Sequence, residues 1–477
     1  MAHARRSACR HPKPVIGSIA APEEAALTAS GSRVAGLGLA LAVAVACTNG
    51  PDATPQPSLI LISIDTLRAD RLGTYGYERD TSPTLDALAE RGVRFDSTIA
   101  ESSWTLPSHM TLFTGLPPTL HGVVSHERKL AASVPTLAEV LREHGYRSFA
   151  FTGGLYVAPN FGFGRGFETY ASAMRKYDSE EMKPIDFRTA LAQAARKIEG
   201  LEPDEPFFAF VHTYDVHCPY DPPAEYAQRF DSQPPDDHVE TRERCGEPHF
   251  NEMRLTPGQA RFLSDRYDAG IRYADDLLGS FLERLDSQGV LDHTFVVVVS
   301  DHGEEFLEHG KIGHQTLYIE CLRVPWIIAG PGLEPRSVAV PTGLADVMPT
   351  LLALLDVPAP PTAGVSMLPA MRGEADEATP TLRFSELGSG PELRSAVLGS
   401  FHLIVGANET LLFDWRADPT EQADLLGGSS EREAGLRQAL ATWVEQLATS
   451  PLRSRAELQV DLSEEQKERL RALGYAP

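Results

Sequence analysis

The chain has 477 residues, of which 42% are hydrophobic and 23% charged, enough to bury a sizeable core. Its formal net charge is -23 and no Lys/Arg-rich run occurs, which excludes nucleic acid as the main ligand, because a phosphate backbone needs basic patches. Small anionic substrates stay open, since local charge and metals hold those.

In chain order, the first feature is Arg33 followed by an apolar run, Val34 to Ala46, that ends in Ala44-Val45-Ala46-Cys47. A basic flank, a short apolar core and small residues before a break are the pattern of a secretory signal. A buried helix is the alternative. The run is too short to cross a bilayer at about 20 residues per helix. Residues 1–47 are therefore expected to be a lipoprotein-type signal peptide, with Cys47 as the lipid-bearing residue and the only membrane attachment. Residues 48–57, polar and Pro-rich, are the tether. These features place the protein outside the cytoplasm, in the periplasm or on the outer face of the envelope. There is no CxxC among the five cysteines, so neither a zinc ribbon nor a thioredoxin motif is supported. Export permits a Cys218–Cys245 disulfide, with two unpaired thiols as the alternative.

Ser58–Thr66 (SLILISIDT) is a near-continuous apolar run of strand length, the pattern of a strand buried on both faces. Similar runs recur at Arg147–Thr152, Phe207–Tyr214, Thr294–Ser300 and Val324–Ala329. Helical patterns lie between them: Pro83–Arg91, with Ser82 as N-cap, Pro135–His144, and Thr256–Gln288. Alternating strands and helices predict an α/β fold, with helices on both faces of a mostly parallel sheet, over residues 58–375. The Pro-, Ala- and Gly-rich stretch 358–377 marks a boundary. Beyond it, strand patterns at Arg394–Val405 and Thr410–Trp415 and helical patterns at Ser430–Ala448 and Glu464–Leu473 predict a small α+β subdomain over 376–477.

Three segments carry chemistry. Asp65 ends the first buried strand, where a carboxylate must find a partner or a cation. Thr105, in Ser103-Trp104-Thr105-Leu106-Pro107-Ser108-His109, precedes a proline suited to a first helical turn. It therefore sits near a helix N-terminus, where N–H groups and dipole stabilise an anion or alkoxide. A simple Thr cap is the alternative. Asp301 and His302 follow another buried strand and precede Gly303, a pairing of hard and borderline metal ligands. Downstream lie Glu304, Glu305, His309, Lys311, His314 and Tyr318, a density of ionisable groups hard to explain structurally.

Together these segments resemble the sulfatase family of the alkaline phosphatase superfamily, along nearly all of residues 58–477. The first strand with Asp65, the T-x-P-S start running to Leu112-Phe113-Thr114-Gly115, and Ser300-Asp301-His302-Gly303-Glu304 match in order. So do His217-Cys218-Pro219-Tyr220, similar to an H-x-P-Y segment, Tyr318–Gly330, and Leu411-Leu412-Phe413-Asp414 with Asp418-Pro419-Thr420-Glu421. The resemblance implies an alkaline-phosphatase-like fold. It implies a divalent metal ion (Ca, Mn, Zn or Mg) on Asp65, Asp301, His302 and the Thr105 oxygen. It makes Thr105 the nucleophile and His217 the leaving-group acid, with His314 as a second catalytic candidate. His109, Lys311 and His212 become substrate-binding candidates. Asp215, His217 and His314 could supply a second ion.

The departures matter as much. Sulfatases keep Cys or Ser at position 105, converted to formylglycine within C-x-P-S-R. Threonine cannot be so converted, so no formylglycine is expected, and His109 stands where the Arg would be. The implied function is cleavage of a sulfate or phosphate ester on a small molecule, glycan or lipid. The alternatives are a phosphodiesterase or phosphoryl-type transferase acting on envelope lipid or glycan, and a non-catalytic binder of sulfated glycan.

Overall fold

Every residue of the first strand, Ser58–Ile64 (β1), is buried, and its side chains alternate between two apolar cores. Leu59 and Leu61 enter one core; Ile60, Ile62 and Ile64 enter the other. That division is what a strand clothed on both faces requires, and it explains the unbroken apolar run. The computed structural model describes residues 56–175, 182–230, 234–235, 253–375, 381–387, 393–428, 430–454 and 458–459. The expected signal and anchor Cys47, nearly all of the tether, the disulfide candidate Cys245 and the helical pattern Glu464–Leu473 lie outside the described residues. Cys218 is disulfide-bonded.

The central sheet has eight strands. After β1 come Val93–Phe95 (β2), Arg147–Thr152 (β3), Thr169–Ala171 (β4), Phe207–Thr213 (β5), Thr294–Val299 (β6), Trp326–Ala329 (β7) and Arg336–Val338 (β8). Their order is β8-β2-β7-β6-β1-β5-β3-β4. All pairings are parallel except those of β7, which runs against β6 and β2. The expected α/β fold is thus present.

Helices Pro83–Glu90 (α1), Thr105–Thr114 (α2), Leu137–Glu143 (α3), Phe187–Ile198 (α4), Pro257–Asp286 (α5) and Val347–Leu354 (α6) cover the two faces. Leu106, Met110 and Leu112 of α2 and Leu351 of α6 join the first core; Leu85 of α1, Leu191 of α4 and Leu278 of α5 join the second. Local chemistry sets several ends. Thr136 and Glu139 form a capping box for α3, as Thr256 and Gln259 do for α5. Gly115 closes α2 in the left-handed conformation at φ 65°. Ser82 precedes α1, but its hydroxyl makes no cap bond; it accepts from the Gly73 N–H.

Beyond residue 380 an antiparallel sheet runs in sequence order: Leu382–Leu387 (β9), Leu393–Leu398 (β10), Phe401–Val405 (β11) and Thr410–Asp414 (β12). The helix Ser430–Thr449 (α7) packs on it, Leu436 and Leu440 against Ala396, Leu403 and Leu412. What reads as one strand at 394–405 is a hairpin folded at Gly399, φ 61°. Edge strand β9 reaches the catalytic half directly. Ser385 Oγ donates to the Ala100 carbonyl at 2.7 Å and the Glu386 N–H to the Glu101 carbonyl at 2.8 Å, steadying the segment that leads into Thr105.

Candidate metal and catalytic centre

Ser63 on β1 is paired in parallel register with Val299 of β6 and His212 of β5. Two residues on, Asp65 and Asp301 emerge together from the C-terminal ends of adjacent strands, where open α/β sheets build sites. Both are fully buried. Asp65 Oδ2 lies 3.2 Å from His212 Nε2, and Asp301 Oδ2 lies 3.3 Å from His302 Nε2 and 3.4 Å from His109 Nδ1. Asp65 Oδ1 and Asp301 Oδ2 have no hydrogen-bond donor, and no Lys or Arg pairs with either aspartate among the described residues.

Thr105 is the first residue of α2, not its cap; Trp104, in extended conformation, holds the cap position. The Thr105 hydroxyl is thereby released from capping, and its Oγ1 stands 3.2 Å from His302 Nε2. All ten residues of α2 are buried, so this position is rigid. His302 Nδ1 donates to the Gly303 carbonyl at 2.9 Å, which leaves Nε2 with a lone pair facing the threonine and the carboxylates. Gly303 permits this turn: a Cβ there would lie 1.9 Å from the Glu320 carbonyl.

The other predicted histidines gather around this core. His109 Nδ1 donates to the Thr105 carbonyl at 2.9 Å and its Nε2 accepts from Ser63 Oγ at 2.9 Å. His314 Nδ1 donates to the Ser103 carbonyl and His217 Nδ1 to the Cys218 carbonyl, each at 2.8 Å. The rings of His302, His314 and His217 form a row, with centroids 4.2 and 5.5 Å apart. Lys311 does not join them. It is exposed on the hairpin between Glu305–Phe306 and Ile312–Gly313, and its N–H donates to Glu305 Oε1. Asp215 is engaged elsewhere, its Oδ2 accepting from the Phe187 N–H at the start of α4. Glu305 braces the hairpin, accepting from the His309 N–H and Thr316 Oγ1.

Electrostatics follow from burial. Burial, with the nearby Asp301 charge, pushes Asp65 well above the usual carboxylate range. Burial also opposes ionisation of Asp301, but the His302, His109 and His212 rings outweigh it and hold the group at about 2. Of the two crowded acids, Asp301 is thus the more readily ionised. Burial drives His217 down to about 4 and His212 and His314 well below the ordinary value, so it disfavours a charge on each of these rings. Two buried carboxylates with no Lys or Arg beside them among the described residues are short of positive charge. Asp65, Asp301 and His302 can place one ligand atom each within 4.8 Å of the others, and these residues fit a divalent ion.

Three contributors are missed from the sequence alone, and two of them carry no signal of their own. Tyr267, in mid-α5, donates to the Thr66 carbonyl at 2.7 Å and accepts from the Arg68 N–H, fixing Thr66 at φ 57°. The buried Arg68 donates to the Glu304 carbonyl and pairs with Glu308 at 2.7 Å. Ser63 alone could have been found, since it lies two residues before Asp65 on the same strand face.

Residues 57–357 match the sulfatase family model. A choline-sulfatase of Rhizobium meliloti is 25% identical over 429 residues, covering 78% of this chain and 83% of the relative. A Delta 4,5-hexuronate-2-O-sulfatase of Bacteroides thetaiotaomicron is 26% identical over 436 residues, covering 82% and 87%. In fold, the crystal structure of the phosphonate monoester hydrolase of Agrobacterium radiobacter superposes with a TM-score of 0.69 at 21% identity, covering 82% of this chain and 96% of that one. By its family model and its relatives along most of its length, the chain belongs to the sulfatase family of ester hydrolases.

Proposed function

We propose that this protein hydrolyses a sulfate or phosphate-type ester through Thr105, with a divalent cation held by Asp65, Asp301, His302 and the Thr105 oxygen. The observation that carries the proposal is the Thr105 hydroxyl, set free of capping and 3.2 Å from the His302 lone pair beside two buried carboxylates. A cation bound there would lower the hydroxyl pKa and offset charge on the transferring group. The threonine hydroxyl gives up its proton to solvent, its oxygen attacks sulfur or phosphorus in line, and the bond to the leaving oxygen breaks. That oxygen takes a proton from Nε2 of His217 or His314. Burial holds both rings below the ordinary value, so an anionic substrate must raise their pKa before either can act as the acid. Water then cleaves the threonine ester and restores the hydroxyl.

A formylglycine hydrate releases sulfate by collapsing to the aldehyde; a threonine ester has no such exit. The chemistry of Thr105 therefore favours phosphorus, while the family and its hexuronate- and choline-directed relatives favour a sulfate ester. The reading includes export and a lipid anchor at Cys47. The deciding experiment is a parallel assay on aryl sulfate, phosphate monoester, phosphodiester and phosphonate ester with Mn, Zn, Mg and Ca. Turnover of at least one ester that disappears with chelation is expected; no turnover of any, with every metal, would sink the proposal.

A further inference from the structure

The tail segment Asp418-Pro419-Thr420-Glu421 ends on a buried carboxylate that the proposed chemistry does not use. Glu421 holds a left-handed backbone at φ 49°, a conformation that a residue with a side chain keeps only where its surroundings impose it. Its Oε1 accepts from His402 Nδ1 of β11 at 2.7 Å, and neither side chain is exposed. Its Oε2 reaches out of the C-terminal sheet and accepts from the Ile319 N–H at 2.9 Å. The next residue, Gln422, takes hold of the same catalytic loop at another point, its Nε2 donating to the Glu308 carbonyl at 2.7 Å. Ile319 opens the single helical turn Ile319–Leu322, and that turn meets the metal centre. The Gly303 N–H donates to the Cys321 carbonyl at 2.8 Å, and the Gly303 carbonyl in turn accepts from His302 Nδ1 at 2.9 Å. Ile319 and Leu322 already share an apolar cluster with Val397, Ile404 and Phe413 of the C-terminal sheet. Apolar packing therefore supplies adhesion between the two parts, and what a buried carboxylate adds to it is direction.

We propose that Glu421 is a positioning residue for the metal centre. From the C-terminal subdomain it fixes the turn at Ile319–Leu322, and through Cys321 and Gly303 it sets where the Nε2 lone pair of His302 points. The inference deepens the proposed function and rests on the cation placed there on Asp65, Asp301 and His302. Groups that orient a metal-bound imidazole tune the affinity of its ion without touching it, and here the orienting chain crosses from one sheet to the other. The small subdomain is then a working part of the centre. Coupling of this kind is reciprocal: if the Glu421–Ile319 contact strengthens metal binding, bound metal must strengthen that contact.

The test compares the unmodified protein with two variants, using Zn²⁺ and Mn²⁺ as probes. Glu421→Gly removes the carboxylate at a backbone angle that suits glycine, and Glu421→Gln keeps an acceptor for the Ile319 N–H. Calorimetry gives the metal Kd, and turnover of a 4-nitrophenyl ester is followed against metal concentration. Glu421→Gly should raise both the Kd and the metal concentration for half-maximal rate by about tenfold or more, and Glu421→Gln should bring both back to within about threefold of the unmodified protein. A third arm needs no variant: in the unmodified protein, hydrogen exchange of the peptide containing Ile319 should slow when metal is added. If Glu421→Gly does not fold, this arm decides alone. Unchanged metal affinity in Glu421→Gly, a Gln variant as impaired as the Gly variant, or exchange at Ile319 indifferent to metal would each overturn the assignment. Failure of the parent reading would show separately, as no metal uptake and no ester turnover by the unmodified protein.

Discussion

Replacing Thr105 by Ala separates the chemistry of the centre from its architecture. The change removes one methyl group and one hydroxyl from a fully buried site. The methyl is worth about 0.8 kcal/mol and the bond to His302 roughly 0.5–1.5 kcal/mol. No cap is lost, because Trp104 occupies that position. The expected stability loss is therefore about 1–2.5 kcal/mol, a melting shift of a few degrees in a chain this long. The loss of rate should be far larger: about a thousandfold or more in kcat, near 4 kcal/mol of activation free energy. Thr105→Ser keeps the oxygen and should stay within about tenfold of the unmodified enzyme. The assay pairs initial rates on the preferred aryl ester with thermal denaturation and metal content. A Thr105→Ala protein that is folded, metal-loaded and within tenfold of the unmodified rate would refute the nucleophile assignment.

Asp301→Asn should abolish metal retention by elemental analysis without lowering the melting temperature of the metal-free protein, since it removes one of two crowded buried carboxylates; a melting rise on metal addition, about 2.7 kcal/mol at a hundredfold excess over Kd, should vanish with it. Retained metal at unit stoichiometry would count against that. Gly303→Ala forces a Cβ to within 1.9 Å of the Glu320 carbonyl and should cost about 1–3 kcal/mol by denaturant titration, with metal affinity falling too; a variant as stable as the parent would show that the turn can yield. Burial pushes the His121 ring down to about 3, so below the ordinary 6.5 the unfolded chain takes up a proton that the folded one refuses. Stability should fall by about 1.4 kcal/mol per pH unit from this residue as pH drops through that window. Between pH 7 and 5, His121→Asn should lose about 2 kcal/mol less than the parent, and equal losses would contradict the assignment.

The frame of the molecule was legible because its central strands carry their own pattern. β3 at Arg147–Thr152 ends where the apolar run ends, and β1, β5 and β6 stop one or two residues short of theirs. The orientation of β7 was not legible. Its run at 324–329 looks like the parallel strands, and only pairing with β6 and the three-residue β2 reverses it. β9 was missed because its burial is set by partners across the sheet rather than by alternation along the strand. At the centre, Asp65, Thr105, Asp301 and His302 could be read because each sits at the end or start of an element. Lys311 could not be placed from spacing, since a two-strand hairpin turns it to solvent while His314, three residues on, turns inward.

Helix α2 is enclosed on all sides, and that has a consequence for how such a centre can change. The backbone at position 105 is held by the nine other buried residues of its own helix and owes nothing to its own hydroxyl. The attacking group can therefore be exchanged while the mould around it stays still. A lineage could trade one attacking atom for another by a single codon, and its reaction repertoire would drift faster than its architecture.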